Sequence, residues 1–190
     1  MPKTKSQIIR EIYRAFENVT LEDGVGLWEG LAQDNYLQGK EYENLKVKDE
    51  RLDWQKIPIV DIYKCSSSIS FHDAKGMRFH LGLYLLFALD VFLEEEDALY
   101  ANKNFKLSPP EIQFALVYNL ESNYSRKRFS LLNKVQIQCI IHFLELDLNV
   151  IDTYEERVVN KTSNFIKKHA ELKAAIAFWK AKALATKTEN

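Results

Sequence analysis

The chain has 190 residues, with 26 basic against 27 acidic side chains, a net charge of -1 and 46% hydrophobic residues. That length suits one domain of ordinary size, and the hydrophobic share excludes a disordered or low-complexity chain. The even charge balance disfavours a dedicated nucleic-acid binder, which carries a large basic excess.

Only six glycines and four prolines occur, and no Gly/Ser-rich or Pro-rich linker divides the chain, so residues 1–190 read as one domain. The N-terminus is basic but runs into Ile8-Ile9-Arg10-Glu11 rather than an apolar stretch, which gives no signal-peptide pattern. Cys65 and Cys139 belong to no CxxC pair and read as reduced, partly buried thiols. The longest apolar run, Phe79 to Leu93, contains His80 and Asp90 and is too short to span a bilayer. The cytoplasm is therefore the expected compartment.

In chain order, Ile8, Ile12 and Phe16 fall at helical spacing behind Ser6, which predicts a first amphipathic helix ending near Asn18. Leu21 to Gly26 reads as a turn, followed by a helix from Leu27 to Tyr36 closed by Gly39. Tyr42 to Gln55 is polar, with Trp54 as its anchor, and Pro58 can start a short helix through Tyr63. Ser66 to Phe71 alternates small polar and apolar residues, and Asp73-Ala74-Lys75-Gly76 has turn chemistry with Gly76 suited to positive φ. A short hairpin there is the expectation. Phe79 to Glu95 then reads as a helix apolar on nearly all sides, the buried centre of the domain.

Ser108-Pro109-Pro110-Glu111 resembles a capping box, although Ile112, Phe114, Leu116, Tyr118 and Leu120 alternate as a strand would. Residues 109–120 are thus helix or strand, with helix preferred. Ser130 is placed to cap a helix carrying Leu132, Val135, Cys139, Phe143 and Leu146. Asp152-Thr153-Tyr154-Glu155 forms a second capping pattern before a last helix, about 153–185, whose stripe is Phe165, Leu172, Ile176, Trp179 and Ala183. The sum is a mainly α, single compact helical domain of about six or seven helices, with a buried central helix and at most a minor β hairpin.

The segment Ser70 to Tyr84 contains Ser70-Phe71-x-Asp73-x-x-Gly76-x-Arg78-Phe79-x-Leu81. Ala15-Phe16, Gly24-x-Gly26-Leu27-x-Glu29, Asp53-Trp54, Ile57-Pro58, Phe129-Ser130-Leu131-Leu132-Asn133 with Gln136, and Phe143-Leu144 accompany it in order. Together, over about residues 12–146, they resemble an uncharacterised bacterial family, a domain of unknown function. Gly82 stands where the pattern has proline, which puts the start of the central helix in question. The resemblance implies a bacterial, cytoplasmic, single-domain protein and carries over no activity.

His72, Asp73, Arg78 and His80 form the one dense polar cluster bordered by strongly apolar sequence. As chemistry, a histidine would act as general base oriented by Asp73, with Arg78 holding an anionic substrate. As structure, Asp73 caps a turn and Arg78 pairs with a carboxylate at the head of the buried helix, with Asp73, Asp34 or Asp61 as candidates. In a hairpin Arg78 and His80 share a face, whereas in a helix they lie about 200° apart and cannot act on one atom. No catalytic residue, metal ligand set or cofactor is assigned: the histidines match no metal-ligand spacing, and no Walker A, GxGxxG, GxSxG or HExxH occurs. Cys139 with His142, and His169 on the last stripe, read as core or boundary residues.

Charge is uneven along the chain. Glu17 to Asp61 holds 11 acidic and 5 basic residues, a net of -6, and Lys161 to Asn190 holds 7 lysines and 2 glutamates, a net of +5. Two functions follow. One is a non-enzymatic protein-binding or regulatory domain, of which an immunity-like masking role is one form, its acidic segment meeting a basic protein or the basic helix of another copy in a homo-oligomer. The other is a small enzyme acting on an anionic substrate through His72, Asp73, Arg78 and His80. No membrane or nucleic-acid partner is expected.

Overall fold

Helix formation begins with a reciprocal cap. Thr4 Oγ1 accepts a hydrogen bond from the Gln7 backbone, and Gln7 Oε1 accepts one from the Thr4 backbone, so Thr4 rather than Ser6 starts α1 (Lys5–Ala15). Its apolar side buries Ile8, Ile12 and, just past its end, Phe16. The computed structural model describes residues 3–102, 105–155 and 163–186. Among them are ten α-helices and no strand: α1, α2 (Leu27–Asp34), α3 (Gly39–Lys46), α4 (Ile59–Lys64), α5 (Ala74–Ala88), α6 (Leu93–Tyr100), α7 (Ile112–Val117), α8 (Asn123–Arg128), α9 (Lys134–Glu155) and α10 (Ser163–Ala185).

The mainly α class is what the sequence predicts, and the count is higher because the central apolar run breaks into α5 and α6 and two polar segments form the short helices α3 and α8. The expected hairpin is absent. Ser66–Ser70 is a 3-10 turn, and Asp73 is the N-cap of α5, its carboxylate accepting from the Gly76 backbone at 2.7 Å. The central helix therefore starts five residues before Phe79. It also ends earlier, at Ala88, where Asp90 takes φ +51° and the chain turns by 78° into α6. Gly39 does not close α2; with φ +56° it opens α3, and Tyr36 supplies another left-handed residue. Asn133, not Ser130, caps α9 by a reciprocal pair with Gln136, because the unforeseen α8 occupies the preceding residues. The Asp152–Glu155 pattern lies inside α9 rather than at the start of a helix. Residues 112–117 are helical, but the Ser108 side chain does not cap them.

The core is one cluster centred on α5, whose Met77, Phe79, Leu81, Tyr84, Leu85 and Leu86 are all buried. Each large apolar side chain so buried contributes about 1.5–3 kcal/mol. Gly82 lies midway along α5, where a Cβ would come within 3.0 Å of the Phe16 ring, so glycine rather than proline lets α1 close on α5. α9 packs against α1 and α10, and the α10 stripe of Leu172, Ile176, Trp179 and Ala183 is buried. Phe165, placed on that stripe by its spacing, has its side chain outside the described residues. Two indoles tie distant segments: Trp54 Nε1 donates to the Phe16 carbonyl at 2.8 Å and Trp179 Nε1 to the Leu116 carbonyl at 2.9 Å. Among the described residues no single helix is long and apolar enough to cross a membrane.

Gly76 is helical rather than left-handed, and its small size serves close approach: a Cβ there would lie 2.2 Å from the Val25 carbonyl oxygen. Glycine to alanine in an unobstructed helix interior gains about 1 kcal/mol. Gly76→Ala is expected to do the opposite and lower the urea midpoint. A midpoint equal to or above that of the parent chain would refute this packing.

Candidate functional site

The four residues of the polar cluster are all placed by the start of α5, and they part in two directions. His72 and His80 go inward. Both are buried, with rings stacked at 4.4 Å and within 3° of parallel. His72 Nδ1 lies 3.0 Å from the Val25 carbonyl, which can only accept, so Nδ1 carries the proton and Nε2 accepts from the Tyr84 hydroxyl at 3.0 Å. His80 Nδ1 likewise donates to the Gly76 carbonyl at 2.7 Å. Burial, and for His72 also the neighbouring His80, holds the His72 imidazole well below its ordinary range; burial brings His80 down to about 4. Both rings are neutral at pH 7.

Asp73 spends its carboxylate on backbone, accepting from Gly76 at 2.7 Å and from Val25 at 3.1 Å. Arg78 points the other way round the helix, as a two-residue step of about 200° requires. Its partner is Glu22, at 2.5 Å, and not Asp73, Asp34 or Asp61. The pair is not sealed under the helix: Arg78 is 25% exposed and Glu22 41%. Lys75 shares Glu22, and the two cations, Lys75 foremost, hold that carboxyl below the usual range. Exposed pairs of this kind add little to stability. The four side chains therefore do not converge on one cavity. His80 borders a cavity, with Trp28, Asp49 and Asp61, of about 20 Å³, room for little more than one water.

The other candidates are also held internally. His142 bonds to Glu11 and to Gln138, each at 2.8 Å, and His169 to Asp152 at 2.8 Å. Both cysteines are free, and burial pushes both thiols up to about 12, so neither is a ready thiolate. Among the described residues no three His, Cys, Asp or Glu side chains are grouped to hold a metal.

Sequence reasoning passed over Arg128. It ends α8, is only 7% exposed, and has no carboxylate within ion-pair distance among the described residues. Its guanidinium lies 4.8 Å from the Tyr124 ring and 4.9 Å from the Phe129 ring. Nη1 donates to the Ile69 carbonyl at 3.2 Å and reaches the Tyr124 hydroxyl at 3.3 Å, while Nε has no partner. Arg128 borders a cleft of about 320 Å³ with Ser70, Tyr118 and Tyr124. A second cleft of about 410 Å³ adjoins it, sharing Glu111, Phe114 and Tyr118. The available signal was the basic run Arg126-Lys127-Arg128 directly before Phe129, too short to single out one arginine.

The chain belongs to a family of unknown function, DUF6714, whose family model matches residues 4–183. That match takes in the last helix, beyond the 12–146 span that the sequence motifs suggest. No curated protein and no solved structure matches the chain.

The neutral histidine pair sets an acid limit. Unfolded histidine titrates near 6.5, so the stability held by burying neutral His72 and His80 is complete above that pH and is lost as the pH falls from 6.5 toward 4. His80 alone removes about 2 kcal/mol by pH 5 on that linkage, and His72 adds to it. Asp49, raised by burial to about 6, opposes with smaller amplitude, since it favours the fold as it protonates. Urea melts should therefore show a lower midpoint at pH 5 than at pH 7.5. Equal midpoints would mean that the histidines are not buried as neutral rings.

Proposed function

We propose that the chain is a non-enzymatic protein-binding domain of the bacterial cytoplasm, and that it meets a basic partner through the α2–α3 hairpin. The observation that carries this is where unpaired negative charge remains. Of the 11 acidic residues from Glu17 to Asp61, seven are engaged within the fold. Glu22 and Asp23 pair with Lys75, Glu29 with Lys46, Asp53 with Lys56 and Asp61 with Lys64. Asp49 caps α2 through the Trp28 and Glu29 backbone amides, and Glu50 accepts from Leu52 and Asp53. Glu17, Asp34, Glu41 and Glu43 remain, exposed and without an ion pair among the described residues, and three of these four sit on α2 and α3.

The hairpin has other marks of a recognition surface. α3 buries none of its residues, and Tyr36, between the two helices, is 90% exposed. An aromatic with unpaired carboxylates beside it suits a lysine- or arginine-rich surface, through charge and cation–π contact. An immunity-like masking role is one form this binding would take. The enzymatic alternative through His72, Asp73, Arg78 and His80 draws no support from side chains that part in two directions.

The test is charge reversal on the hairpin. Asp34→Lys, Glu41→Lys and Glu43→Lys together replace exposed residues, and each should change the stability by no more than about 0.5 kcal/mol. A crosslinker at Tyr36 in the bacterial host should capture a basic protein with the parent chain, in a salt-sensitive manner, and fail with the reversed hairpin. Capture that survives both reversal and high salt would overturn the reading.

A further inference from the structure

Arg128 differs from every other buried polar group described above, because a guanidinium cannot deprotonate to suit its surroundings. Burying that charge is costly unless it is paired, and stacking on two aromatic rings offsets only part of the cost. Nη1 is occupied by Ile69 and Tyr124, whereas no acceptor among the described residues bonds Nε or Nη2. Those two nitrogens form the side of the guanidinium that takes a carboxylate through two parallel bonds; Nη2 keeps some exposure, whereas Nε is closed off, so a carboxylate meets Nη2 first and reaches Nε as the side chain adjusts.

We infer that the cleft bordered by Arg128 is a binding site for a small apolar carboxylate, held by its head on the free side of Arg128. Its body lies over Phe114, Ala115 and Tyr118 toward the adjoining cleft, where Pro110 and Leu172 continue the apolar wall. The two clefts, about 320 and 410 Å³, are each of the size that holds a small molecule; the Arg128 cleft is lined largely by polar side chains suited to a head group, and the adjoining one by mostly apolar residues suited to a body. The charge of the site selects a single negative charge over a double one. Arg128 is the only cation among the described residues that line its cleft, Glu111 lines the same walls, and Lys168 stands off in the adjoining cleft. A phosphate dianion would face one guanidinium and one carboxylate. This site is independent of the hairpin and would give a binding domain an effector.

The experiment is a calorimetric and thermal-shift titration of the full chain with 3-phenylpropionate and hexanoate, against 3-phenylpropanol, hexanol and inorganic phosphate. The carboxylates should bind saturably and raise the melting temperature, with their alcohols weaker by about tenfold or more, a difference of about 1.4 kcal/mol. Two variants locate the effect. Phe114→Glu changes a residue that is 57% exposed, so it should keep the fold while adding a like charge to the cleft, and it should abolish the carboxylate effect. Arg128→Met keeps the stem between Tyr124 and Phe129 and should leave acid and alcohol equal. Absence of saturable carboxylate binding, equal binding of acids and alcohols to the parent chain, phosphate binding as tight as carboxylate, or carboxylate binding unaltered by Phe114→Glu would each overturn the inference. In the first case Arg128 is a structural residue satisfied by Ile69, Tyr124 and the two rings.

Discussion

The peptide group of Val25 is the contact on which the rest of this fold depends. Its carbonyl accepts from His72 and fills the space that a side chain at Gly76 would need, while its amide donates to Asp73. Gly24 packs just as closely, since a Cβ there would lie 2.6 Å from that of Lys75. Loop 24–26 is thereby seated on the first turn of α5, the most buried helix, and α2, which begins at Leu27, inherits its position from that seat. The same contact sets the protonation of the interior. With His72 Nδ1 committed to Val25, Nε2 can only accept, and the Tyr84 hydroxyl is oriented to donate. Buried polar groups are tolerated only when satisfied, and both ring nitrogens of His72 have a partner in this chain of donors and acceptors.

That contact explains what was legible in the sequence and what was not. The two motifs Gly24-x-Gly26 and Asp73-x-x-Gly76 stood out as residues, and the structure shows them as two halves of one interface. Read locally, Asp-x-x-Gly is a turn, because a cap followed by glycine has the same spacing whether the chain turns or begins a helix. Only the approach of Val25, 48 residues away from Asp73, decides between them. Periodicity recovered α1, α9 and the stripe of α10, whose faces are amphipathic or long, and Pro58 marked the start of α4. It failed where apolar residues run on past a helix end: nothing between Ala88 and Leu93 signals the 78° break except Asp90, whose left-handed backbone is tolerable for aspartate. The short α8 is too polar to show a helical stripe, and Arg128 was hidden with it.

Charge read along the chain also overstated what is free in space. The segment 17–61 carries a formal -6, yet most of its carboxylates are taken up by lysines, amide groups and helix starts of the same fold. Asp49 is the clearest case. It lies beyond α3, yet it caps α2, whose own N-cap, Gly26, has no side chain to do so; a Cβ at Gly26 would collide with the Asp49 carboxylate. The basic C-terminal segment is similarly drawn down, with Lys180 on Glu145 and Lys167 on Glu171. Surface recognition therefore depends on the residue left over after the fold has used its own charges, which is why three carboxylates on one hairpin outweigh the larger formal sum.

The same reasoning ranks the two unusual polar places in the interior. The stacked histidines drew attention first because histidine, aspartate and arginine in one segment resemble catalytic apparatus. Histidine, however, has an inexpensive route to burial: it sheds a proton, and the remaining N–H finds a carbonyl. Val25 and Gly76 supply those carbonyls, and Arg78, although its Nε has no partner among the described residues, is partly exposed and ion-paired with Glu22, so its charge is answered within the fold. Arginine has no such route. Its charge persists wherever it is placed, and rings at 4.8 and 4.9 Å with one backbone carbonyl and one phenol leave part of its donor set unanswered. A buried group that can neutralise itself says little about ligands, whereas one that cannot, and that faces a cleft, asks for a counter-charge. Hence the strongest chemical demand in this molecule lies at the end of α8, in a segment without hydrophobic periodicity, and not in its most distinctive motif.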